Sequence, residues 1–195
     1  EFMVACDVNN PLTGPEGASA IYGPQKGANS VMIEELDAAL EHFSNIVKRD
    51  IGVDIAKIPG SGAAGGLGAG LIAFLDGKLR AGVDIVLDAV DFDNRLTGAN
   101  LVMTGEGSLD HSTVYNKAPV GVARLAKAKG IPVIAISGSL GEGFQEIYNY
   151  GIDAVSAITP GPMTLEMASN NAFKLISNAT EESLRFMKLG SRIFS

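Results

Sequence analysis

The chain has 195 residues, enough for one large or two small domains. Its 46% hydrophobic and 19% charged residues exclude a disordered chain. The 15 basic and 22 acidic residues give a net charge of −7, which argues against a nucleic-acid partner. A single cysteine excludes an internal disulfide, and with two histidines beside it a zinc site is not expected. Because no signal-peptide pattern opens the sequence, we expect a cytoplasmic protein.

The first half of the chain predicts one short strand followed by helices. Residues 4–8 form a strand-like apolar segment. Asn29 or Ser30 can cap a helix that ends near Gly52. The apolar residues of this helix step by three and four, and they are Ile33, Leu36, Leu40, Phe43 and Val47. A second helix is predicted over 63–79 and a short one over 85–92.

The second half alternates between buried strands and helices. Short apolar runs typical of parallel sheets occupy residues 100–104, 131–137 and 154–158. Helices are predicted over 119–128, 144–150 and 165–188. We expect the last of these to turn one face inward, formed by Leu165, Ala168, Ala172, Leu175, Ala179 and Met187.

This alternation predicts an α/β fold with three layers, in which helices flank a mostly parallel sheet. We divide the chain into a glycine-rich α/β segment over 1–92 and a Rossmann-like β-α-β-α-β-α segment over 93–195. Ligands of such sheets bind beyond the carboxyl ends of the strands, where loops lead into helices. The loops after the predicted strands are therefore the first places to search for a site.

A glycine cluster over residues 59–68 is the most unusual local feature. Gly60, Gly62 and Gly65 match the Gly-x-Gly-x-x-Gly spacing of dinucleotide-binding turns. Two other interpretations stay open, namely anion binding at a helix N-terminus and close packing against a neighbouring backbone. A membrane helix over the uncharged residues 58–75 is disfavoured, because Pro59 and six glycines interrupt it.

The segment 104–117 gathers polar side chains after a predicted strand and before a predicted helix. Glu106 and Asp110 supply carboxylates and Lys117 an ammonium, while Thr104, Gly105 and Gly107 are expected to contact substrate or phosphate through a hydroxyl and an open backbone. Phosphoryl transfer needs carboxylates that bind Mg²⁺ or take a hydroxyl proton, and a cation beside the phosphate. The alternative is an ordinary polar loop in which Asp110 and Thr113 are local caps.

A third polar segment lies near the start of the chain. Asp7 ends the first predicted strand, and Lys26 stands between turn residues just ahead of a helix cap. Lys26 could meet an anion, although residues of this kind most often only shape a loop.

Four motifs in order resemble the bacterial type I glycerate kinase family. They are Ala5-Cys6-Asp7-Val8-Asn9-Asn10-Pro11-Leu12, Gly23-Pro24-Gln25-Lys26-Gly27-Ala28, the glycine cluster from Pro59 to Gly68, and Thr104-Gly105-Glu106-Gly107. The resemblance covers nearly the whole chain and about the C-terminal half of the family. It implies ATP-dependent phosphorylation of D-glycerate with Mg²⁺ in a two-domain α/β fold.

The resemblance also suggests roles for single residues. Glu106 and Asp110 would be metal or base carboxylates, Lys117 a phosphate contact and Asp7 a further acidic group at the cleft. The chain departs from the family pattern at Ser108, Ser112 and Asn116, where an arginine, a glutamine and a glycine are usual. A serine cannot replace the rigid fork of an arginine.

Two alternatives stand beside the kinase. The chain could be a catalytically incomplete but folded domain that forms a homo-oligomer, or, less favoured, a nicotinamide-dinucleotide-binding domain. The latter requires an acidic residue at a strand tip about 20 residues beyond the glycines, where Asp84 falls in a predicted helix. No membrane partner is expected.

Overall fold

The computed structural model describes residues 1–115 and 117–193. Two compact units make up the chain, Glu1–Ile85 and Val86–Ser195. Each unit contains a parallel sheet flanked by helices, which confirms the predicted α/β class. Among the described residues, no helix has the length and apolar character needed to cross a membrane.

Unit 1 is built from two short strands and three helices around a small core. Strand β1 (Met3–Ala5) is shorter than predicted, and it pairs in parallel with β2 (Lys78–Arg80), a strand the sequence analysis did not predict. The helices are α1 (Ala18–Tyr22), α2 (Ser30–Ile51) and α3 (Ala63–Leu75), with a 3₁₀ turn at Pro24–Lys26 after the first. Leu12, Val47, Ile55 and Ala69 form the core.

Helix α2 follows the predicted signals. The side chain of Asn29 accepts the backbone N–H of Met32, and Gly52 ends the helix in the left-handed conformation. Val47 is buried as expected, whereas Leu36 is exposed. The second predicted helix ends at Leu75, four residues early, because Asp76 takes a left-handed conformation and the chain then enters β2.

Unit 2 contains a three-stranded parallel sheet of β3 (Val102–Leu109), β4 (Val133–Leu140) and β5 (Ala154–Ala157) in that order. Helix α4 (Gly82–Ala89) contains the boundary between the units, and α5 (Phe92–Arg95) follows it. A 3₁₀ turn at His111–Val114 and α6 (Ala118–Ala128) connect β3 to β4. A 3₁₀ segment at Phe144–Tyr150 replaces the predicted short helix before β5.

The predicted long C-terminal helix is broken into α7 (Leu165–Asn170) and α8 (Ala172–Ile193). Asn171 separates them, and its side-chain amide donates to the Met167 carbonyl, so it competes with the helical pattern. Leu175 is buried as predicted, but Leu165 is 83% exposed and Met187 is also exposed, so the inward assignment of these two residues is wrong.

Helices cover both faces of the sheet in unit 2. Val133 and Ala135 of β4 belong to a core shared with Val120 and Ala123 of α6. Ile136, on the opposite face, lines a cavity together with residues of α7 and α8. Since side chains alternate between the faces of a strand, α6 and α8 lie on opposite sides of the sheet. The three-layer arrangement is thus present in this unit.

Candidate functional site

The motif Thr104-Gly105-Glu106-Gly107 lies on a strand, which corrects its assignment to a loop. Strand β3 continues to Leu109, because its ladder with β4 runs to the pair Leu109↔Leu140. A Cβ atom at Gly105 would overlap the carbonyl oxygen of Ile136 on the neighbouring strand. The glycine therefore permits the two backbones to pair, and the polar loop begins only at Asp110.

A hydrogen-bonded network joins Glu106 to the residues that follow β3. The hydroxyl of Thr113 donates to Glu106 Oε1 at 2.7 Å, and the Thr113 hydroxyl oxygen accepts the backbone N–H of Asp110 at 3.1 Å. Thr113 is fully buried. Its single hydroxyl therefore connects a carboxylate on the strand with the loop that carries the second carboxylate.

Asp110 combines a capping role with an ion pair. Its Oδ1 accepts the backbone N–H of Ser112 at 2.8 Å and also the Ser112 hydroxyl, and it lies 3.8 Å from Lys117 Nζ. The hydrogen bonds from Ser112 lower the pKa of the Asp110 carboxyl, with smaller help from the charges of Lys117 and His111. Asp110 is therefore an anion at neutral pH. Both the capping interpretation and the predicted neighbourhood of Asp110 and Lys117 are confirmed.

Lys117 lies at the N-terminus of α6, where its own charge adds to the positive end of the helix dipole. It is the N-cap residue of α6, whose first turn carries unpaired backbone N–H groups and the positive end of the helix dipole. Its side chain is 39% exposed, so the ammonium remains accessible to a ligand. This end of β3 thus holds two carboxylates and a cation within one short stretch of chain.

The carboxylate pair suits Mg²⁺ better than a metal that needs a full set of protein ligands. Among the described residues, no group of three or more His, Cys, Asp or Glu side chains could hold a metal ion. Mg²⁺ is commonly bound by one or two carboxylates together with water and substrate phosphates. Glu106 and Asp110 supply two carboxylates of the type that Mg²⁺ takes, and Thr113 ties the Glu106 carboxylate to the backbone of Asp110.

The positions at which the chain departs from the family pattern take part in local hydrogen bonds. Ser108 accepts a 3.0 Å hydrogen bond from the hydroxyl of Ser139 on β4. Ser112 donates to Asp110. Asn116 lies outside the described residues. Ser108 and Ser112 are therefore integrated into this structure, although neither supplies the positive charge of an arginine.

A cavity of about 590 Å³ lies between the sheet of unit 2 and its C-terminal helices. Thr104, Gly105, Glu106 and Gly107 form part of its wall on β3. Three of these four residues were predicted to contact substrate or phosphate, and the fourth, Glu106, also belongs to the carboxylate network. The Glu106 side chain is on the same face of β3 as Val102, which is covered by α6. Gly105 and Gly107 are on the face that lines the cavity, so the cavity and the charged cluster lie on opposite faces of one strand.

The glycine cluster of unit 1 has a packing explanation for two of its members. A Cβ atom at Gly62 would overlap the carbonyl oxygen of Pro11, and one at Gly60 would lie 2.8 Å from Leu79 and 2.9 Å from the Cys6 sulfur. The backbone N–H of Gly62 is also used, because it donates to Asn10 O at 3.0 Å. Close packing therefore accounts for Gly60 and Gly62, and their anion-binding role stays a prediction.

The dinucleotide interpretation of this cluster lacks its structural context. Residues 52–62 form loops and turns, whereas the fingerprint requires a strand directly before the glycines. Ala64, Gly65 and Gly66 adopt left-handed conformations, so the regular part of α3 begins after them. Asp84 lies in α4 and not at a strand tip. The structure therefore contradicts the Rossmann-type alternative.

The remaining predicted residues lie in unit 1. Asp7 Oδ1 accepts the backbone N–H of Gly82 at 2.8 Å, so it holds the start of α4. Lys26 and Gly65 line one cavity of about 590 Å³, together with residues of α1 and α2. In sum, the structure brings Glu106, Asp110 and Lys117 together in unit 2, and Lys26 with Gly65 in unit 1.

Sequence reasoning missed the opposite wall of the unit 2 cavity. Ala168 and Ala172 line it from α7 and α8, and on the sheet side Gly138 of β4 was missed as well. The only sequence signal for this wall was the presence of small residues on the inward face of the C-terminal helices and of glycines in the strands. Such a pattern shows where two elements leave space, but it does not show which elements face each other.

Comparison with known proteins places these features in a family. A model of the glycerate kinase family matches residues 1–188. The glycerate kinase of Halalkalibacterium halodurans is 52% identical over 179 residues, which cover 92% of this chain and 47% of that protein. The glycerate 2-kinase of Escherichia coli is 43% identical over 191 residues, which cover 98% of this chain and 50% of that protein.

A solved structure supports the same relationship. The crystal structure of a protein assigned as glycerate kinase 2 from Salmonella typhimurium matches with a TM-score of 0.80 at 45% identity, over 97% of this chain and 49% of that one. The chain therefore spans about half the length of the relatives that it matches.

Proposed function

Because the chain belongs to the glycerate kinase family, we propose that the protein carrying it transfers a phosphoryl group from ATP to D-glycerate. The observation that carries this proposal is the charged cluster at the carboxyl end of β3. There Lys117 lies 3.8 Å from Asp110, and Thr113 links Asp110 to Glu106. Parallel α/β sheets bind their ligands at this position.

The cluster supplies the groups that phosphoryl transfer requires. The ionised Asp110 carboxylate can accept the proton of the glycerate hydroxyl, because its low pKa keeps it unprotonated. Lys117 and the N-terminus of α6 can hold phosphate oxygens by charge and by N–H donation. Glu106 is kept in place by the buried Thr113 hydroxyl and can assist in holding Mg²⁺.

Mg²⁺ would be held by Glu106 and Asp110, and when bound it neutralises negative charge on the nucleotide phosphates. Of the residues predicted in unit 1, Lys26 enters the proposal through its charge, whereas Asp7 and the glycines enter it through the backbone they hold or shape. Lys26 lines an open cavity and can contact an anion, and Asp7 caps α4. Gly60, Gly62 and Gly65 are proposed to shape the backbone rather than to hold phosphate directly.

The test is a turnover assay with ATP, Mg²⁺ and D-glycerate, carried out on the 195-residue chain and on the natural protein that carries it. Phosphorus NMR of the product distinguishes 2-phosphoglycerate from 3-phosphoglycerate. We expect ATP-dependent formation of one of them by the natural protein. Hydrolysis of ATP that does not depend on glycerate, or no turnover by that protein, would contradict the proposal.

A second candidate is a folded domain that acts through an interface, as a homo-oligomer. The exposed apolar residues of α8 favour it, since Phe173 is 89% and Phe186 72% exposed and Leu189 and Ile193 are also exposed. Such a surface is uncommon on a monomer. Light scattering on the 195-residue chain tests this candidate, because a monomer at all concentrations would refute it.

A further inference from the structure

We propose that the cavity of unit 2 binds the base and ribose of the nucleotide substrate. The cavity lies between β3 and β4 on one side and α7 and α8 on the other, and it has a volume of about 590 Å³. Small-molecule sites usually have volumes of about 300–1,000 Å³. This inference rests on the proposed phosphoryl transfer from ATP, and it assigns a location to the adenosine part of ATP.

The lining of the cavity selects for a flat, uncharged group. Apolar side chains form most of it, with the hydroxyl-bearing residues Ser169 and Thr180 among them. The apolar members are Met103, Ile136, Ile158, Leu165, Ala168, Ala172 and Ile176. The lining residues that the structure describes include no lysine or arginine, so neither phosphate nor the glycerate carboxylate would find a countercharge among them. A nucleobase and its ribose need apolar surface and a few hydrogen-bonding groups, which this cavity provides.

Gly107 is a strand glycine that neither a positive φ nor packing within the fold explains. It lies within β3 without a positive φ, and a Cβ atom built on it would meet no atom within 4 Å. By contrast, Cβ atoms at Gly105 and Gly138 would overlap backbone carbonyls of the neighbouring strand. A glycine inside a strand often marks the close approach of a ligand. Because Gly107 lines the cavity, a side chain at this position would occupy space that we assign to the nucleoside.

The cavity and the charged cluster lie on opposite faces of β3 and approach each other at its carboxyl end, which a nucleotide would cross. Glu106 borders the cavity and accepts the hydrogen bond from Thr113, and Asp110 follows three residues after Gly107 on the same strand and loop. At about 3.3 Å per strand residue, Gly107 and Asp110 are roughly 10 Å apart along the chain. A base in the cavity can therefore send its phosphates towards Lys117.

The experiment is a titration of the 195-residue chain with ADP and with adenosine, followed by NMR of the backbone amides. We expect both probes to shift Gly107, Ala168 and Ala172. Gly107→Val should weaken ADP binding by about tenfold or more. Valine is favoured in strands, and the open space beside Gly107 should allow the variant to fold. Gly161→Val is the matched control, because Gly161 also has open space beside it and does not line the cavity.

Three results would overturn the inference: no binding of ADP, ADP shifts confined to residues outside the cavity, or equal ADP affinity of Gly107→Val and the unchanged chain. The shift map of the unchanged chain decides the question even where the variant fails to fold. Failure of the proposed function gives a different result, since ADP would then bind in the cavity while glycerate is not phosphorylated.

Discussion

The hydroxyl of Thr113 donates a 2.7 Å hydrogen bond to the carboxylate of Glu106, although seven residues and the end of a strand separate them. The same hydroxyl oxygen accepts the backbone N–H of Asp110. One buried side chain thus determines where both candidate metal-binding carboxylates lie relative to each other. Removal of the Thr113 hydroxyl should therefore change both the position of Glu106 in the site and the stability of unit 2.

Thr113→Val replaces the hydroxyl with a methyl group of similar size. Glu106 loses a hydrogen bond and the Asp110 N–H loses its acceptor, so we expect the free energy of unfolding to fall by about 1–3 kcal/mol. Urea unfolding followed by circular dichroism measures it. Thr113→Ser keeps the hydroxyl and is the control. Equal stability of the valine and serine variants would show that the network contributes nothing.

Ser112→Ala should raise the pKa of Asp110 towards its ordinary value of 3.8, because the Ser112 hydrogen bond is the main cause of the depression. A carboxyl whose pKa is lowered by folding contributes stability above its unfolded pKa, and this contribution is lost as the pH falls through the folded value. Ser112→Ala should therefore lower the stability of the chain above about pH 4, and the difference from the unchanged chain should shrink as the pH falls below that value.

Carbon-13 NMR of the carboxyl group measures the Asp110 titration directly. Ser183→Ala is a suitable control, since the Ser183 hydroxyl donates to the Ala179 carbonyl within α8. An unchanged Asp110 titration in Ser112→Ala would mean that the Ser112 hydrogen bonds are absent in solution.

Gly62→Ala and Gly70→Ala should change stability in opposite directions. A Cβ atom at Gly62 would overlap the carbonyl oxygen of Pro11, so the backbone must shift and the variant should unfold more easily. Gly70 lies inside α3 with open space around it, and alanine there should stabilise the protein by about 0.5–1 kcal/mol. Thermal unfolding measures the midpoint temperature of each variant. A Gly62→Ala variant that unfolds at the same temperature as the unchanged chain would refute the packing explanation.

Phe186→Lys tests whether the exposed end of α8 forms an interface between copies of the chain. If it does, a charge at this 72% exposed position should shift the chain towards monomer. Light scattering over a range of concentrations measures the shift. Lys188→Glu, also on the exposed part of α8, is the control and should have little effect. A mass that is the same for Phe186→Lys and the unchanged chain excludes this residue from any interface.

Local signals predicted those parts of the fold that depend on a short stretch of chain. The cap at Asn29 and the apolar periodicity that follows it predicted α2, and a run of apolar residues predicted β4. Strand β2 was missed, because three residues that pair with a strand more than 70 positions away carry almost no local pattern. The length of β3 was underestimated for a similar reason, since its last residues are held by the ladder with β4.

The candidate site likewise has one part that local signals predicted and one part that they missed. Glu106, Asp110 and Lys117 come from one segment, so their neighbourhood could be predicted from the position of that segment after a strand. The cavity wall formed by Ala168 and Ala172 is about 60 residues away along the chain, and only the packing of α7 and α8 against the sheet brings it to β3. Long-range packing of this kind leaves no spacing that a sequence motif could reveal.

The most direct test of the account is the kcat for glycerate phosphorylation by the natural protein that carries this chain, compared between Asp110→Asn and Asp93→Asn. Asp93 pairs with Lys129 at 2.9 Å on the surface of unit 2 and has no part in the proposed site. Loss of the Asp110 carboxylate should lower kcat by about 100-fold or more, whereas Asp93→Asn should leave it unchanged. If Asp110→Asn turns over as fast as the unchanged protein, the charged cluster at the end of β3 is not where the chemistry takes place.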